Sequence, residues 1–276
     1  MVLRPRMSSD PQIGEFLAFA DRRADAARVA ILPHFRAETT IEAKPGRAFD
    51  PVTAADKAAE RVMREMIEAE FPGHGILGEE FPEKPSASGY KWVLDPIDGT
   101  RAFISGLPLW GVLIALVHEE AGPVIGVIDQ PYLEERFRGW PGGADFVSRG
   151  GKRDLRVRAC ASLRDATMMT TDPNLFNGAE AGGVELVRAA AKLTRYGCDC
   201  YAYAMVALGF VDVVIESGLK PWDVCALIPV IEGAGGVVSD WRGRPAWQGG
   251  QVIASGDKRI HEEALSVLGR VATRTA

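Results

Sequence analysis

The chain has 276 residues, 47% hydrophobic and 25% charged, with a formal net charge of −5. That balance suits a folded globule of one large domain or two close halves, and it excludes disorder and a basic surface built for nucleic acid. The longest apolar run, residues 107–117, contains Pro108 and Gly111 and is far too short to span a membrane.

Along the chain, apolar residues recur at three- and four-residue steps from Ile13 through Phe16, Ala20, Ala24 and Ala27 to Ile31. This predicts a helix over 11–36 with Asp10 as its cap. Residues 44–53 are rich in turn formers and predict an outward loop. A second helix is predicted over 54–71, with Val62, Met63, Met66 and Ile67 on one side and Pro72-Gly73 as its stop. Beyond it, short apolar runs bounded by Gly, Pro and Asp predict strands at 75–77, 91–94, 111–118, 123–128 and 135–139. The last three are spaced for an antiparallel meander. The charged, glycine-rich stretch 141–153 is the expected boundary between an N-terminal α+β half (1–150) and a C-terminal α/β half (151–276) that together form one catalytic unit. In the second half, strands at 166–170, 193–196, 211–216, 237–240 and 252–254 alternate with helices at 179–192, 200–209, 223–233 and 258–268. An α/β fold of alternating helix and sheet layers is therefore expected. The first ten residues carry no apolar run of signal-peptide length, and Cys160, Cys198, Cys200 and Cys225 lack CxxC spacing. Both features lead us to expect a cytoplasmic protein with reduced thiols.

Three acidic clusters fall at the ends of predicted elements: Gly78-Glu79-Glu80, Asp95-Pro96-Ile97-Asp98-Gly99-Thr100 and Pro221-Trp222-Asp223. In the second, Pro96 fixes φ and Gly99 permits unusual dihedrals, so the strand must end in a stiff turn. Asp95 and Asp98 can then point to one side with the Ile97 carbonyl turned toward them. Such a hard-oxygen set suits Mg²⁺ rather than zinc or copper. Gly99 and Thr100 would offer backbone N–H groups to phosphate oxygens. Asp-Pro and Asp-Gly are also ordinary turn residues, but two further acidic clusters at element ends favour the site.

Residues 92–103, from Trp92-Val93-Leu94-Asp95 through Asp98-Gly99-Thr100 to Phe103, resemble the first signature of the inositol monophosphatase superfamily of Mg²⁺-dependent, lithium-sensitive phosphatases. Trp222-Asp223-Val224-Cys225-Ala226 with Gly233-Ala234-Gly235-Gly236 resembles its second signature. Gly78-Glu79-Glu80 and Pro51-Val52-Thr53-Ala54-Ala55-Asp56 resemble its N-terminal motifs. The resemblance implies the layered fold of that superfamily and of fructose bisphosphatase, a homodimer, and two to three Mg²⁺ per site. Glu79, Asp95 and the Ile97 carbonyl would hold a first ion, and Asp95, Asp98 and Asp223 a second; Glu79 would also face a third. Thr100, paired with Asp56, would orient the attacking water. Lys44 aligns approximately with a family loop lysine.

The alcohol is less constrained. Two acidic positions flank the leaving group in the resemblance, Glu216 and Asp199, and they favour a cationic alcohol through charge-assisted hydrogen bonds. Asp199 can equally be the N-cap of the helix that follows, and Arg195 is read as bracing the site. The wording at 101–111, 129–131, 171–176 and 195–201 resembles the bacterial histidinol-phosphatase branch. Histidinol phosphate is thus the leading substrate expected, with Gly99, Thr100, Asp199, Glu216 and Asp223 as its contacts. Inositol-1-phosphate is the alternative within the class. A non-enzymatic role beside RNA polymerase or the ribosome is the alternative outside it. No nucleic-acid or membrane partner is expected.

Overall fold

The computed structural model describes residues 11–37, 41–43 and 51–273. The first long apolar stripe forms α1 (Pro11–Ile31), which buries Phe16, Phe19, Ala20, Ala24, Ala27 and Ile31. It ends short of the expected Arg36 because Pro33 has no N–H to continue the ladder, and Leu32–His34 close as a 3-10 turn instead. Asp10 and Lys44 lie outside the described residues. Around the expected outward loop, β1 (Ile41–Ala43) and β2 (Pro51–Thr53) pair antiparallel. The second helix, α2 (Ala54–Glu70), starts from a capping box in which Asp56 Oδ2 accepts the Thr53 N–H at 2.8 Å and Thr53 Oγ1 accepts the Ala55 N–H at 3.2 Å.

Seven strands then form one sheet in chain order: β3 (Gly75–Gly78), β4 (Tyr90–Asp98), β5 (Gly111–His118), β6 (Gly122–Gln130), β7 (Glu135–Trp140), β8 (Gly143–Ser148) and β9 (Gly151–Asp154). Only β3 and β4 run parallel; the rest contains the expected three-stranded meander, extended by β4 on one side and by β8 and β9 on the other. Those two strands occupy 141–153, the stretch read as a boundary, and the sheet ends at Asp154. Gly142 and Gly151, both at positive φ, shape this stretch, while buried Asp145 is matched by Arg138 at 2.7 Å.

The second sheet has the order β11-β10-β12-β14-β13, from β10 (Thr167–Thr170), β11 (Leu193–Tyr196), β12 (Val213–Leu219), β13 (Val237–Asp240) and β14 (Gly250–Ser255). The first half adds a short helix that the sequence reading did not expect, α3 (Thr100–Ile104), and the expected alternation supplies α4 (Ala179–Ala190), α5 (Asp199–Ala207), α6 (Pro221–Val224), α7 (Leu227–Gly233) and α8 (Lys258–Leu268). The single helix expected over 223–233 is interrupted after Val224, since Pro229 offers no N–H to the Cys225 carbonyl.

Period-two alternation sorts these elements into layers. Trp92 and Leu94 face α1 and α2, whereas Val93 faces a central layer of α5 and α7. Val214 closes the same central layer from the second sheet, and Val213 and Ile215 face the outer helices α4 and α8. The result is an α/β sandwich, and Asp95 and Glu216, in phase with Val93 and Val214, look into its middle.

Close approach of α7 depends on glycine. Gly126 and Gly139 are cross-strand partners on β6 and β7. A Cβ on Gly126 would stand 2.0 Å from the Ala226 carbonyl oxygen, and one on Gly139 2.2 Å from Pro229 backbone. Gly126→Ala should cost about 3 kcal/mol, the upper part of the usual range for overpacking, and lower Tm by roughly 6–12 °C. Gly182→Ala, on α4 with open space around it, is the control and should leave Tm unchanged or slightly raised. Equal melting of the two variants would show that the helix seat is not tight.

Candidate active site

The parallel register of β3 sets Gly78 beside Leu94, so Glu79, the first residue past β3, comes level with Asp95 on β4. Pro96 and Ile97 then form an irregularity in β4 between Asp95 and Asp98, the kind of bulge that re-aims side chains at functional sites. Asp95 Oδ1 accepts the Ile97 N–H at 3.0 Å, and Thr100 Oγ1 donates to the Ile97 carbonyl at 3.1 Å. Gly99 takes φ +88° and opens α3. Asp223 arrives from the other half at the start of α6, where it accepts the Lys220 N–H at 2.7 Å. Oxygens of Asp95, Asp98 and Asp223 lie within 4.8 Å of one another.

These groups line a cavity of about 270 Å³ together with Glu79, Ile97, Gly99, Thr100, Asp199 and Glu216. Every expected metal ligand and substrate contact is in its wall, whereas Asp56 is not. Burial, and then the charges of Glu79, Asp98 and Asp223, hold the Asp95 carboxyl well above the ordinary carboxylate range. Burial, then Asp199 and Asp223, do the same to Asp98. An all-oxygen donor set with this much unbalanced negative charge fits a hard divalent cation such as Mg²⁺.

Asp56 is buried one step away, tied to Thr53, and burial raises its pKa to about 6. It is neither a surface carboxylate nor part of the cavity wall. Asp199 is not an N-cap: that position belongs to Cys198, with no side-chain bond to the helix. Instead the Asp199 carboxyl lies over Gly99, where a Cβ would stand 3.0 Å from its Oδ2. Burial raises its pKa to about 6, partly offset by Arg101. The α5 N-terminus is served from the other half, because Asp98 Oδ2 accepts the Cys200 N–H at 2.6 Å. Arg195, expected as a brace, is exposed on edge strand β11 and outside the cavity wall.

Glu216 is buried, with Oε1 accepting the Thr171 N–H at 3.0 Å and Oε2 accepting the Tyr203 hydroxyl at 3.2 Å. Burial lifts its pKa to about 7, against the pull of Thr171. Thr171, Leu175, Tyr203 and Arg101 also line the wall. Thr171 opens the 171–176 stretch singled out in the sequence and Tyr203 lies in no motif, but neither bond to Glu216 is legible there, because the partner is 45 or 13 residues away.

The sequence model of the inositol monophosphatase family matches residues 13–272. The chain belongs to this family. Among relatives, it is 43% identical over 275 residues to the "Bifunctional phosphatase IMPL2, chloroplastic" of Arabidopsis thaliana, covering 96% of this chain and 78% of that protein. It is 36% identical to a histidinol-phosphatase of Mycobacterium tuberculosis, covering 91% and 95%. Among solved structures, an inositol monophosphatase from Zymomonas mobilis superposes with a TM-score of 0.82 at 41% identity, covering 96% of this chain and all of that one. The protein is thus a phosphatase of the inositol monophosphatase family. Among the described residues, no helix is long and apolar enough to cross a membrane.

The Glu216 shift has a testable sign. Its pKa is about 7 in the fold against 4.5 ordinarily, so its contribution is full below pH 4.5 and is lost as pH rises through 7. Relative to the unmodified protein in EDTA, Glu216→Gln should gain about 2–3 kcal/mol, roughly 5–10 °C in Tm, between pH 5 and pH 8.5. Parallel melting of both proteins across that range would contradict the shift.

Proposed function

We propose that the protein is a Mg²⁺-dependent histidinol-phosphatase, which splits L-histidinol phosphate and water into L-histidinol and phosphate. The carrying observation is the pair of half-buried Asp199 and buried Glu216, facing the metal-type cluster across one small cavity. An ester whose phosphate sits at that cluster would bring its alcohol toward two carboxylates. An ammonium or imidazolium satisfies both by charge-assisted hydrogen bonds, and histidinol offers one of each. The curated relative in Mycobacterium tuberculosis bears the name histidinol-phosphatase.

In this reading Glu79, Asp95, Asp98, Asp223 and the Ile97 carbonyl hold the Mg²⁺ ions. Magnesium there would supply phosphoryl-oxygen binding, acidification of water and stabilisation of the leaving alkoxide. The protein's own groups do the rest. Thr100 spends its single hydroxyl proton on the Ile97 carbonyl, so its oxygen is left as an acceptor that orients an attacking water. Glu79 and Asp56 are the carboxylates assigned to that water's proton. The Gly99 and Thr100 N–H groups, at the start of α3, are offered to phosphate oxygens. Water attacks phosphorus, the ester P–O bond breaks, and the alkoxide leaves with a proton as histidinol. Residues 1–150 and 151–276 act as one unit, since each half brings part of the cavity wall.

Inositol-1-phosphate is the second reading. The observation favouring it is the likeness to the Zymomonas mobilis inositol monophosphatase, and the same two carboxylates can accept from hydroxyls.

Hydrolysis should require Mg²⁺ and stop in EDTA, and Asp95→Asn or Asp223→Asn should lower turnover at least about 10²-fold. Full activity of Asp95→Asn in EDTA would exclude the metal site. Asp199→Ala separates the substrates. It should weaken kcat/KM for histidinol phosphate by about 1.5–3 kcal/mol and affect inositol-1-phosphate much less. An unchanged ratio of the two constants would remove the cationic-alcohol argument.

A further inference from the structure

Glu60 has no part in the reading above, yet its side chain is completely buried, which is costly for a carboxylate unless it is paired and hydrogen-bonded. It sits one helical turn beyond Asp56 on α2 and faces the turn that follows β3. Its Oε2 accepts the Glu80 N–H at 2.7 Å, and its Oε1 accepts Arg64 Nε at 2.7 Å. Arg64 donates onward from Nη2 to the Phe81 carbonyl at 3.0 Å. The fit against Gly78 is close, for a Cβ there would stand 2.0 Å from Glu60 Oε1. One ion pair on α2 therefore touches the backbone before Glu79 and bonds it at the two residues after.

We propose that Glu60 and Arg64 are positioning residues for Glu79, holding the 78–81 turn so that the Glu79 carboxylate meets Asp95 in the metal cluster. This rests on the reading of Glu79 as a metal ligand. The physical need is plain: Glu79 is the strongest neighbouring like charge on buried Asp95, and repulsion would swing a free turn outward before any cation arrived. A bridge of fixed length from a rigid helix opposes that swing. The strand register ends at Gly78, and the backbone bridge between Ile76 and Lys84 closes only the base of the segment, so neither holds residues 79–81 themselves.

The test uses the full chain with Mg²⁺ alone, and reads the Mg²⁺ concentration that gives half of the maximal rise in Tm. Glu60→Asp keeps the charge but withdraws it by one methylene. It should raise that concentration about ten-fold or more, the size expected when the support of a metal ligand is disturbed, while Tm in EDTA falls little. Arg64→Lys loses the forked contact to Phe81 and should move the midpoint the same way, which keeps the test open if Glu60→Asp does not fold. Glu79→Gln should weaken the Mg²⁺ response at least as much. If the two clamp variants melt lower in EDTA but keep the normal Mg²⁺ midpoint while Glu79→Gln loses it, the pair only stabilises the fold and the proposal is wrong. If Glu79→Gln itself keeps the normal midpoint, the ligand reading has failed and the proposal falls with it.

Discussion

Six carboxylates, Glu79, Asp95, Asp98, Asp199, Glu216 and Asp223, share the wall of one cavity, and their charges repel the segments that carry them. The protein counters this with main-chain donors. Asp95 accepts from Ile97, Asp98 from Cys200, Asp223 from Lys220 and Glu216 from Thr171. A backbone N–H is fixed by the fold and stabilises the charged form of its acceptor, so each of these acids is oriented as well as partly neutralised. The same device recurs just behind the cavity, where Asp56 accepts from Thr53 and Glu60 from Glu80. What these donors leave unbalanced is the charge that a divalent cation matches.

Those donors are useful only if two halves of the chain meet accurately, which is the role of the central helical layer. The Gly126 and Gly139 pair lets the α7 backbone rest directly on the first sheet. That contact carries Asp223, a few residues upstream, to Asp95 and Asp98. From the other direction, the Asp98 bond to Cys200 joins the β4 turn to the start of α5. Sheet alternation, a glycine seat and one inter-half hydrogen bond thus fix the same point.

Much of this was legible in sequence because it is local. The helix stripes, the meander and the 258–268 helix follow from period and punctuation, and the Asp95–Thr100 turn declares itself through Pro96 and Gly99. Where reading failed, the deciding partner was distant. Strand β8 was hidden because its buried residues include Asp145, whose charge is matched by Arg138 and Lys152 on the neighbouring strands, and β9 was hidden because all four of its residues are exposed. Glu60 and Tyr203 look like any helical polar and core aromatic residue until the fold brings Glu80 and Glu216 to them. Asp199 read as a site residue that could also serve as a helix cap. Only the turn before it decides, since the helix starts at Asp199 itself and Cys198 occupies the cap position.

That turn is also where the backbone is least relaxed. Gly197, Cys198 and Asp199 follow one another at φ +87°, +82° and +43°. Glycine adopts such angles freely and Asp tolerates them, but Cys does not, and non-glycine residues held there cost of order 1–3 kcal/mol each. The strained run is offset by what it makes possible. It turns the chain from β11 straight into α5 with the Cys200 N–H aimed at Asp98 and the Asp199 carboxyl laid over Gly99. A relaxed connection would start the helix in another direction and lose both contacts together. The backbone geometry that brings the Asp199 carboxyl to the cavity wall is therefore the same geometry that secures Asp98, so the acidic cluster and the wall beside it are built as one piece.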